Sequence, residues 1–495
     1  MWKPPPDQRV RHELPRLAVP SAAEVARSMM SSPLTLASGL VLADRTWVPA
    51  MVPWRATDDG EVTGDVVDWY RRFAEGQPGV IVIEATGIRD VASGPLLRIG
   101  DDRYLPGLER LVRAVGEASG GRTRLFVQII DFLRIRRRPE PAKYFASFLQ
   151  IDAGHRRRLA EHLHRPELEA ASDAQTRGVL ATLDDEGIDA VLTARERASL
   201  RMGERELVTD VDLPHVRDLP ATLPPLFAAA AERAARVGFD GVELHFAHAY
   251  TMASFLSAHN TRSDGYGVTR DGRVRLPLEV LRAVRAECPR GASIGARILC
   301  DEAIEGGSGV EDACHFGAAL AAEGLDVLSL STGGKYEDAK QPKVGDAAYP
   351  YTGKSGFECM PTALGDARGP FGRNVAKQAR VRAAIRAAGH ATPTVAAGGI
   401  ASFAQMEEIL QSGQADLVGA ARQTLADPDW LSKIRRGRGQ DIRRCTFSNY
   451  CEALDQRHKQ VTCQLWDHLP TNDGARRASD GKRWLIAPRW DDHST

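Results

Sequence analysis

Two histidines and a tyrosine lie close together just beyond a short apolar stretch of the chain. His245 ends that stretch, and His248 and Tyr250 follow in the next loop. On an extended strand, alternation places His245 on the face opposite Leu244, toward whatever cavity lies at the end of the strand. A neutral imidazole can donate a hydrogen bond to an oxygen, and a phenol keeps its proton at neutral pH. The three side chains therefore suit binding a substrate carbonyl and delivering a proton to the substrate.

Short β-branched or apolar runs alternate with helix-like segments along most of the chain. The eight runs are Thr46 to Met51, Val80 to Glu84, Leu125 to Ile130, Val242 to His245, Ile294 to Ile298, Val327 to Ser331, Thr394 to Ala397 and Leu417 to Ala420. Segments long enough for right-handed crossovers separate them. The alternation predicts an α/β fold, a (β/α)8 TIM barrel with its active site at the carboxyl ends of the strands. The two histidines and the tyrosine follow the fourth strand, as this rule requires.

Two parts of the sequence fall outside the alternation. Residues 132–215 form a long insertion after strand three, rich in Arg, Glu and Ala, with a helix predicted over Asp173 to Met202. We therefore divide the chain into an N-terminal extension (1–33), a barrel (34–436) and a cysteine-bearing tail (437–495). Long loops on a catalytic face commonly act as lids or subunit contacts. The insertion is therefore compatible with a homo-oligomer.

Composition indicates a soluble enzyme. The chain has 495 residues, 43% of them hydrophobic, with 65 basic and 65 acidic side chains. A formal net charge of zero gives no electrostatic reason to expect nucleic acid or an anionic membrane as a partner. No apolar run approaches the about 18 residues of a spanning helix, and the N-terminus lacks the apolar core of a secretory signal. We therefore expect a cytoplasmic protein that acts on a small molecule.

Glycines after the seventh and eighth predicted strands could hold a phosphate group. Gly398 and Gly399 follow strand seven, and Arg422 follows strand eight. Consecutive glycines let backbone amides approach a phosphate, and an arginine can donate paired hydrogen bonds to it. Phosphate sites of this kind occur in many barrel enzymes, so this feature alone does not identify the ligand.

The segment Gly241 to Gly267 resembles the strand-four motif of the old yellow enzyme family, the FMN-dependent ene-reductases. That motif runs HxAH or HxxN, then G-Y-L-L-x-Q-F-L-S-P, then N-x-R-x-D-x-Y-G-G. The matching positions are His245, Ala247, His248, Tyr250, Phe255, Leu256, Ser257, Asn260, Arg262, Asp264, Tyr266 and Gly267. The resemblance extends over most of residues 34–440. It implies FMN as the cofactor, with NAD(P)H as a transient reductant, since the sequence has no dinucleotide-binding fingerprint.

The resemblance implies further cofactor-binding residues at the other strand ends. Gln128 falls where a glutamine holds the flavin pyrimidine edge, and Arg297 falls where an arginine lies beside N1 and O2. The remaining implied contacts are Ala50, Met51 and Val52 after strand one, and Gly398, Gly399, Ala421 and Arg422 at the phosphate.

Two departures from the family pattern concern the reacting edge of the flavin and the substrate pocket. Val52 replaces a Thr, Cys or His that hydrogen-bonds the flavin O4 and N5 edge, so we expect a lower reduction potential. Asp131 replaces the histidine of the strand-three motif, so we expect an unusual substrate pocket.

The leading hypothesis is an FMN-dependent NAD(P)H oxidoreductase that reduces an activated alkene or conjugated carbonyl compound. His245 and His248 would bind the substrate oxygen, and Tyr250 would protonate the α-carbon. An FMN-dependent amine or alcohol dehydrogenase, as in the trimethylamine dehydrogenase branch, stays open, as does a flavin-binding protein that has lost activity. A zinc hydrolase using Glu243, His245 and His248 belongs to another class, but no further His/Asp cluster follows the other strands.

Three cysteines of the tail match a four-cysteine iron–sulfur motif of the dienoyl-CoA reductase and trimethylamine dehydrogenase branch. They are Cys445, Cys451 and Cys463, and Ser448 stands at the second position of the motif. A serine alkoxide forms reluctantly, so a [4Fe–4S] cluster would need an oxygen or exogenous ligand there. A zinc site and a relic whose cysteines simply pack are the alternatives. A cluster would imply an electron-transfer partner such as a ferredoxin. That branch's C-terminal nucleotide-binding domains are not expected in the about 30 residues that follow the motif.

Overall fold

Eight short parallel strands close into a barrel, which confirms the predicted (β/α)8 fold. The computed structural model describes residues 10–15, 17, 19–91, 95–137, 139–201, 203–248, 250–333, 369–469 and 476–491. The barrel strands are β1 (Thr46–Val48), β2 (Val80–Gly87), β3 (Arg124–Ile130), β4 (Gly241–Phe246), β5 (Ser293–Leu299), β6 (Val327–Ser331), β7 (Thr394–Ala397) and β8 (Leu417–Gly419). Each strand pairs with its sequence neighbours, and β8 pairs with β1, so every strand edge is satisfied.

Helices follow the strands and cover the outside of the barrel. They are α1 (Gly64–Glu75), α2 (Leu105–Ser119), α3 (Leu219–Arg236), α4 (Arg270–Glu287), α5 (Val310–Ala322), α6 (Val375–Ala387), α7 (Phe403–Gln411) and α8 (Ala421–Ala426). In α1 the buried residues Val66, Trp69, Tyr70 and Phe73 recur at helical spacing, which turns one apolar face toward the strands. No helix in the described part of the chain is both long and apolar enough to cross a membrane.

Large apolar side chains fill the barrel beneath the carboxyl ends of its strands. The cluster contains Leu36, Leu42, Trp47, Val80, Val82, Phe126, Val327, Val395 and Leu417. The rings of Trp47 and Phe126 lie 5.4 Å apart within it. Because alternate residues of a strand face the same side, Gln128 follows Phe126 onto the inner face of β3. The apolar core of the barrel therefore lies directly below the layer of polar candidate site residues that includes Gln128.

The insertion after β3 forms a second compact unit, Leu133–Leu207, which is shorter than the predicted insertion 132–215. Its main helices are Ala153–Leu163, Asp173–Leu180, Asp185–Val191 and Ala194–Arg201, and the strands Ile135–Arg137 and Gly203–Arg205 pair antiparallel. The prediction of a single helix over Asp173 to Met202 was wrong. Asp184 accepts a hydrogen bond from the Gly187 amide and starts one helix, and Thr193 with Glu196 forms a similar cap nine residues later.

The remaining described elements flank the barrel. They are the helices Ala22–Ala26, Pro214–Arg217, Thr251–Leu256, Trp430–Arg435 and Tyr450–Gln456, and the paired strands Leu34–Thr35 and Val41–Leu42. The tail packs on the loop that follows β1, since the Val461 amide donates to the Pro53 carbonyl. Arg55 of that loop donates to the carbonyls of Val461 and Leu485.

A buried histidine links two helices inside the insertion unit. Nε2 of His155 lies 3.0 Å from Oε1 of Glu196, and Nδ1 lies 2.7 Å from Oδ1 of Asp152. The hydrogen bond with Glu196 raises the pKa of His155, although burial and the charge of Arg158 oppose this. Burial alone would raise the pKa of Glu196, but the hydrogen bonds from His155 and Thr193 outweigh it and lower that pKa to about 2.

This ion pair should make the stability of the insertion unit depend on pH. Because the folded-state pKa of His155 is raised, its contribution is full below about pH 6.5 and is lost as pH rises through the folded-state value. Because the pKa of Glu196 is lowered, its contribution is full above about pH 4.5 and is lost as pH falls toward the folded-state value. Hydrogen exchange of residues 133–207, corrected for intrinsic rates, should show strongest protection between these limits.

A matched pair of variants tests the assignment. His155→Gln should flatten the pH profile, whereas His164→Asn, at an exposed histidine at the end of the same helix, should keep it. An unchanged profile in the His155 variant would show that other groups set the pH dependence.

Candidate active site

Four neighbouring strands bring their polar side chains together at the carboxyl end of the barrel. In the strand register Gln128 of β3 lies opposite Glu243 of β4, and His245 of β4 lies opposite Arg297 of β5. Gln128, Glu243 and His245 are all buried. Nε2 of Gln128 donates to Oε1 of Glu243 at 2.5 Å. The predicted residues of these strands therefore form one connected polar layer.

His245 is held neutral with a defined tautomer. Burial, together with the nearby charge of Arg297, lowers its pKa to about 3. The Ala247 amide donates to Nδ1 of His245 at 3.2 Å, so Nδ1 is an acceptor. The single proton of the neutral ring must then lie on Nε2, where it can be donated into the site.

His248 presents a second ring nitrogen to the same point. Its Nδ1 lies 3.4 Å from Nε2 of His245, and its Nε2 lies 2.8 Å from Oγ of Ser331 at the end of β6. Its backbone has φ +59°, in the left-handed region, which turns the side chain back over the strand. Burial, with the charges of Arg297 and His245, holds the pKa of His248 well below its usual range.

Ser331 was not among the predicted site residues, yet it contacts both His248 and Arg297. Arg297 can only donate, and its Nη2 lies 3.4 Å from Oγ of Ser331, so that oxygen accepts from it. When the Ser331 hydroxyl donates to Nε2 of His248, the proton of that ring lies on Nδ1, and when Ser331 accepts there, the proton lies on Nε2. In both tautomers Nε2 of His245 and Nδ1 of His248 converge on one position.

Tyr250 stands beside the histidine pair in an apolar setting. Its ring meets that of His245 edge to face, with centroids 5.4 Å apart, and that of Phe132 with centroids 5.2 Å apart. It packs against a cluster that contains Ala85, Leu96, Ile130 and Phe132, together with Val52 and Trp54. Tyr250 is the N-cap residue of the helix Thr251–Leu256. The end of β4 and this helix together fix the position of its side chain.

Asp131, the unusual residue of strand three, pairs with an arginine that the sequence did not reveal. Nε and Nη2 of Arg89, from the loop after β2, lie 2.5 and 3.0 Å from the two carboxylate oxygens of Asp131. Burial raises the pKa of Asp131, and the charge of Arg89 opposes that shift. Thr251 also donates to the Asp131 carbonyl at 3.1 Å. This pair therefore anchors the chain directly before Phe132 and beneath Tyr250.

The donor set of the polar layer fits the pyrimidine edge of FMN. That edge presents carbonyl oxygens and one N–H group, so it needs donors and one acceptor. Gln128 and Arg297 are donors, and Oε2 of Glu243 is a buried acceptor with no hydrogen-bond partner in the described part of the chain. Burial raises the pKa of Glu243, while the charge of Arg297 lowers it.

The residues after β1 follow the same edge of the barrel. Ala50 packs against the barrel core, and Val52 packs against the cluster that holds Tyr250. The Tyr70 hydroxyl donates a hydrogen bond to the Met51 carbonyl at 3.4 Å. These positions agree with a cofactor edge near β1, and the contacts of Ala50, Met51 and Val52 with FMN stay predictions.

The predicted phosphate residues lie at the ends of β7 and β8. Gly398 and Gly399 have φ of +116° and +72°, and a Cβ on Gly399 would lie 1.7 Å from the Pro370 carbonyl oxygen, so glycine is required there. Ala421 opens α8. Nη1 of Arg422 donates to Oδ1 of Asn449 at 2.6 Å, and its guanidinium lies 4.7 Å from the Phe447 ring centre. Phosphate binding by these residues stays a prediction.

The cysteines of the tail line one small cavity. Cys445, Cys451 and Cys463 line a cavity of about 20 Å³ together with Ser448 and Arg422, which is room for about one water molecule. Without a metal ion, burial raises the pKa of each thiol. Among the described residues, no group of three His, Cys, Asp or Glu side chains is arranged to hold a metal ion.

Metal binding by Cys445, Cys451 and Cys463 stays a prediction. The hypothetical zinc ligands Glu243, His245 and His248 are likewise not arranged around a common point in the described structure. The carboxylate of Glu243 instead accepts from Gln128.

Comparisons with known proteins agree with this site. Residues 223–441 match the model of the NADH:flavin oxidoreductase / NADH oxidase family. The chain is 27% identical to an NADH oxidase of Thermoanaerobacter brockii over 416 residues, which cover 83% of this chain and 51% of that protein. It is 26% identical to a metal reductase of Desulforamulus reducens over 415 residues, covering 82% of this chain and 49% of that protein. The chain thus spans about half the length of these curated relatives.

Solved structures share the fold. A 2-naphthoyl-CoA reductase complex superposes with a TM-score of 0.61 at 18% identity, covering 88% of this chain and 56% of that one. An old yellow enzyme homologue from Zymomonas mobilis superposes with a TM-score of 0.52 at 19% identity, covering 82% of this chain and 91% of that one. These structures share the barrel fold of this chain, and residues 223–441, which carry the paired histidines of β4, are similar to the NADH:flavin oxidoreductase / NADH oxidase family.

Proposed function

We propose that this chain is an FMN-dependent NAD(P)H oxidoreductase that reduces an alkene conjugated to a carbonyl group. The observation that carries the proposal is the convergence of two imidazole nitrogens, Nε2 of His245 and Nδ1 of His248, which lie 3.4 Å apart and to which we assign the ring protons. Bound FMN supplies the redox chemistry, taking a hydride from NAD(P)H and returning one to the substrate.

The histidine pair would bind the carbonyl oxygen and draw electron density away from the alkene. Both rings are neutral because burial lowers their pKa values, so they donate hydrogen bonds without giving up a proton. Their donors are already oriented by the Ala247 amide and the Ser331 hydroxyl, and preorganised donors stabilise a developing oxyanion more strongly than mobile ones do.

Tyr250 is the proton donor of this proposal. It is the phenol beside the pair, and its apolar neighbours Leu96 and Phe132 limit the access of water that could deliver the proton instead. A phenol is a weak acid near neutral pH, so transfer occurs when negative charge develops on the substrate carbon.

A second candidate is an FMN-dependent amine or alcohol dehydrogenase that passes electrons to an iron–sulfur centre. The observation that favours it is the position of Arg422, which lines the cysteine cavity and also follows the strand end predicted to bind phosphate. An electron-transfer protein would be the partner of such an enzyme.

Replacing Tyr250 tests the proton-donor role and the direction of the reaction. Anaerobic NAD(P)H should bleach the cofactor absorbance of the wild-type protein, and an enone should restore it. Tyr250→Phe should leave bleaching near normal and slow the restoration about 10²-fold, the usual contribution of a positioned general acid. Stopped-flow absorbance measures both steps.

Other outcomes of that experiment have definite meanings. Equal slowing of both steps would contradict the proton-donor role. Bleaching by an amine but not by NAD(P)H would favour the dehydrogenase, and a coloured protein inert in both steps would be one that has lost activity. A protein that stays colourless with added FMN would remove the flavin hypothesis.

Replacing Ser331 tests the assignment of the His248 proton. Ser331→Ala should reduce kcat/KM for the enone about 10-fold, because one of the two N–H donors is no longer fixed, while oxidation of NAD(P)H stays near normal. Ser331→Thr keeps the hydroxyl and should recover most of the loss. His245→Ala, which removes a direct donor, should also abolish the charge-transfer band that a bound phenol gives with the flavin. If the Thr and Ala variants of Ser331 lose activity equally, packing rather than the hydroxyl is responsible.

Iron analysis separates the two candidate functions. Because the cysteine cavity has room for about one water molecule, the anaerobically purified, flavin-replete protein should contain far less than the about four irons per chain of a cluster. Iron and acid-labile sulfide assays provide the measurement, with Cys463→Ser as the control. A full complement of iron that the Cys463 variant loses would show that Ser448 or solvent completes a cluster, and would favour the dehydrogenase.

A further inference from the structure

We propose that a positively charged pocket between the loop after β1 and the tail binds the phosphate of an elongated substrate or reductant. We name it the Arg55 pocket. It has a volume of about 450 Å³, and its lining includes Trp54, Arg55, His458, Lys459, Gln460 and Arg483. The proposal deepens the proposed function and rests on it for the identity of the reacting molecule.

Arg55 is a buried cation whose charge is only partly matched. It is 3% exposed, and the nearby negative charges of Asp65 and Glu84 favour its charged form, whereas burial opposes it. Its Nη2 donates to the carbonyls of Val461 and Leu485, and its guanidinium lies 4.5 Å from the Trp69 ring centre. Nε and Nη1 have no hydrogen-bond partner within the described residues. Burying such donors is costly, and a nearby anion would offset the cost.

The rest of the pocket is rich in donors and carries a net positive charge. Arg55, Lys459 and Arg483 are basic, and Asp480 is the acidic residue among the lining side chains. Asp480 accepts from Arg483 at 2.5 Å, so it is already engaged. Oε1 of Gln460 accepts from the Ser479 amide, which leaves its Nε2 as a donor. A phosphate, with several acceptor oxygens, matches this lining better than a neutral group does.

Trp54 connects the pocket to the apolar cluster that holds Tyr250. It forms one wall of the pocket and packs against the same cluster as Tyr250. The Trp54 ring is stacked on His458 with centroids 3.8 Å apart, and its Nε1 donates to Asp455 at 2.6 Å. Trp54 and His458 have φ of +54° and +51°, a strained conformation that their mutual packing maintains. The proposal requires a molecule that reacts beside Tyr250 to extend past Trp54 and place its phosphate near Arg55.

Binding of inorganic pyrophosphate tests the pocket without any turnover. Titration calorimetry with the full-length, FMN-loaded protein should detect binding to the wild type. Lys459→Glu, at an exposed side chain of the pocket, should weaken it at least 10-fold. Lys482→Glu makes the same charge change at an exposed lysine of the tail that does not line the pocket, and it should have little effect. No binding to the wild type, or equal weakening in both variants, would overturn the proposal.

Competition then identifies the source of the phosphate. If pyrophosphate displaces NADPH or NADH and the Lys459 variant binds the displaced nucleotide more weakly, the phosphate belongs to the reductant, and weaker binding of NADPH alone assigns it to the 2′-phosphate. If pyrophosphate instead competes only with a phosphorylated enone thioester, it belongs to the substrate. Competition with neither would overturn the proposal. Because the calorimetry needs no catalysis, a protein that binds pyrophosphate through Lys459 but reduces no enone would contradict the proposed function and not the anion site.

Discussion

The register that pairs β3, β4, β5 and β6 decides which side chains meet at the carboxyl end of the barrel. In that register Gln128 lies opposite Glu243, and His245 lies opposite Arg297. A shift by one residue would turn the inward set outward and bring apolar side chains to the site. The closed barrel prevents such a shift, because every strand is hydrogen-bonded on both sides. The chemistry proposed for this protein depends on that constraint.

Arg297 is the electrostatic centre of the polar layer. Its charge adds to burial in lowering the pKa values of both histidines, and it opposes the burial that raises the pKa of Glu243. It also orients the Ser331 hydroxyl by donating to its oxygen. Buried networks of this kind are favourable only when donors and acceptors are matched, so each member restricts the protonation state of the next. Burial and this one cation together keep the two histidines neutral.

Residues outside the barrel shape the surroundings of this centre. Arg89 holds Asp131 and the strand end beneath Tyr250. The tail packs on the loop after β1, where Asp455 and His458 fix the Trp54 ring. In this structure the barrel supplies the groups that we propose to react, and the loops and tail form the surroundings, which is where enzymes that share a fold can differ in substrate.

Local patterns in the sequence were sufficient to predict the barrel, its strand order and the strand ends that carry the candidate active-site side chains. Alternation within β4 places Glu243 and His245 on one face, and the eight alternating segments require the carboxyl ends to meet. Those inferences need only short windows of sequence. The splitting of the predicted insertion helix also has a local cause, the caps at Asp184 and Thr193, which the helical periodicity concealed.

Contacts between distant segments were decided by the tertiary structure alone. The bond between His248 and Ser331 spans 83 positions, and the bond from Arg55 to Val461 spans 406. The spacing of the cysteines predicted a ligand set, whereas packing left them around a cavity with room for about one water molecule. Such contacts depend on strand register and on where the tail docks, and both are set by the packing of the whole chain rather than by any local period.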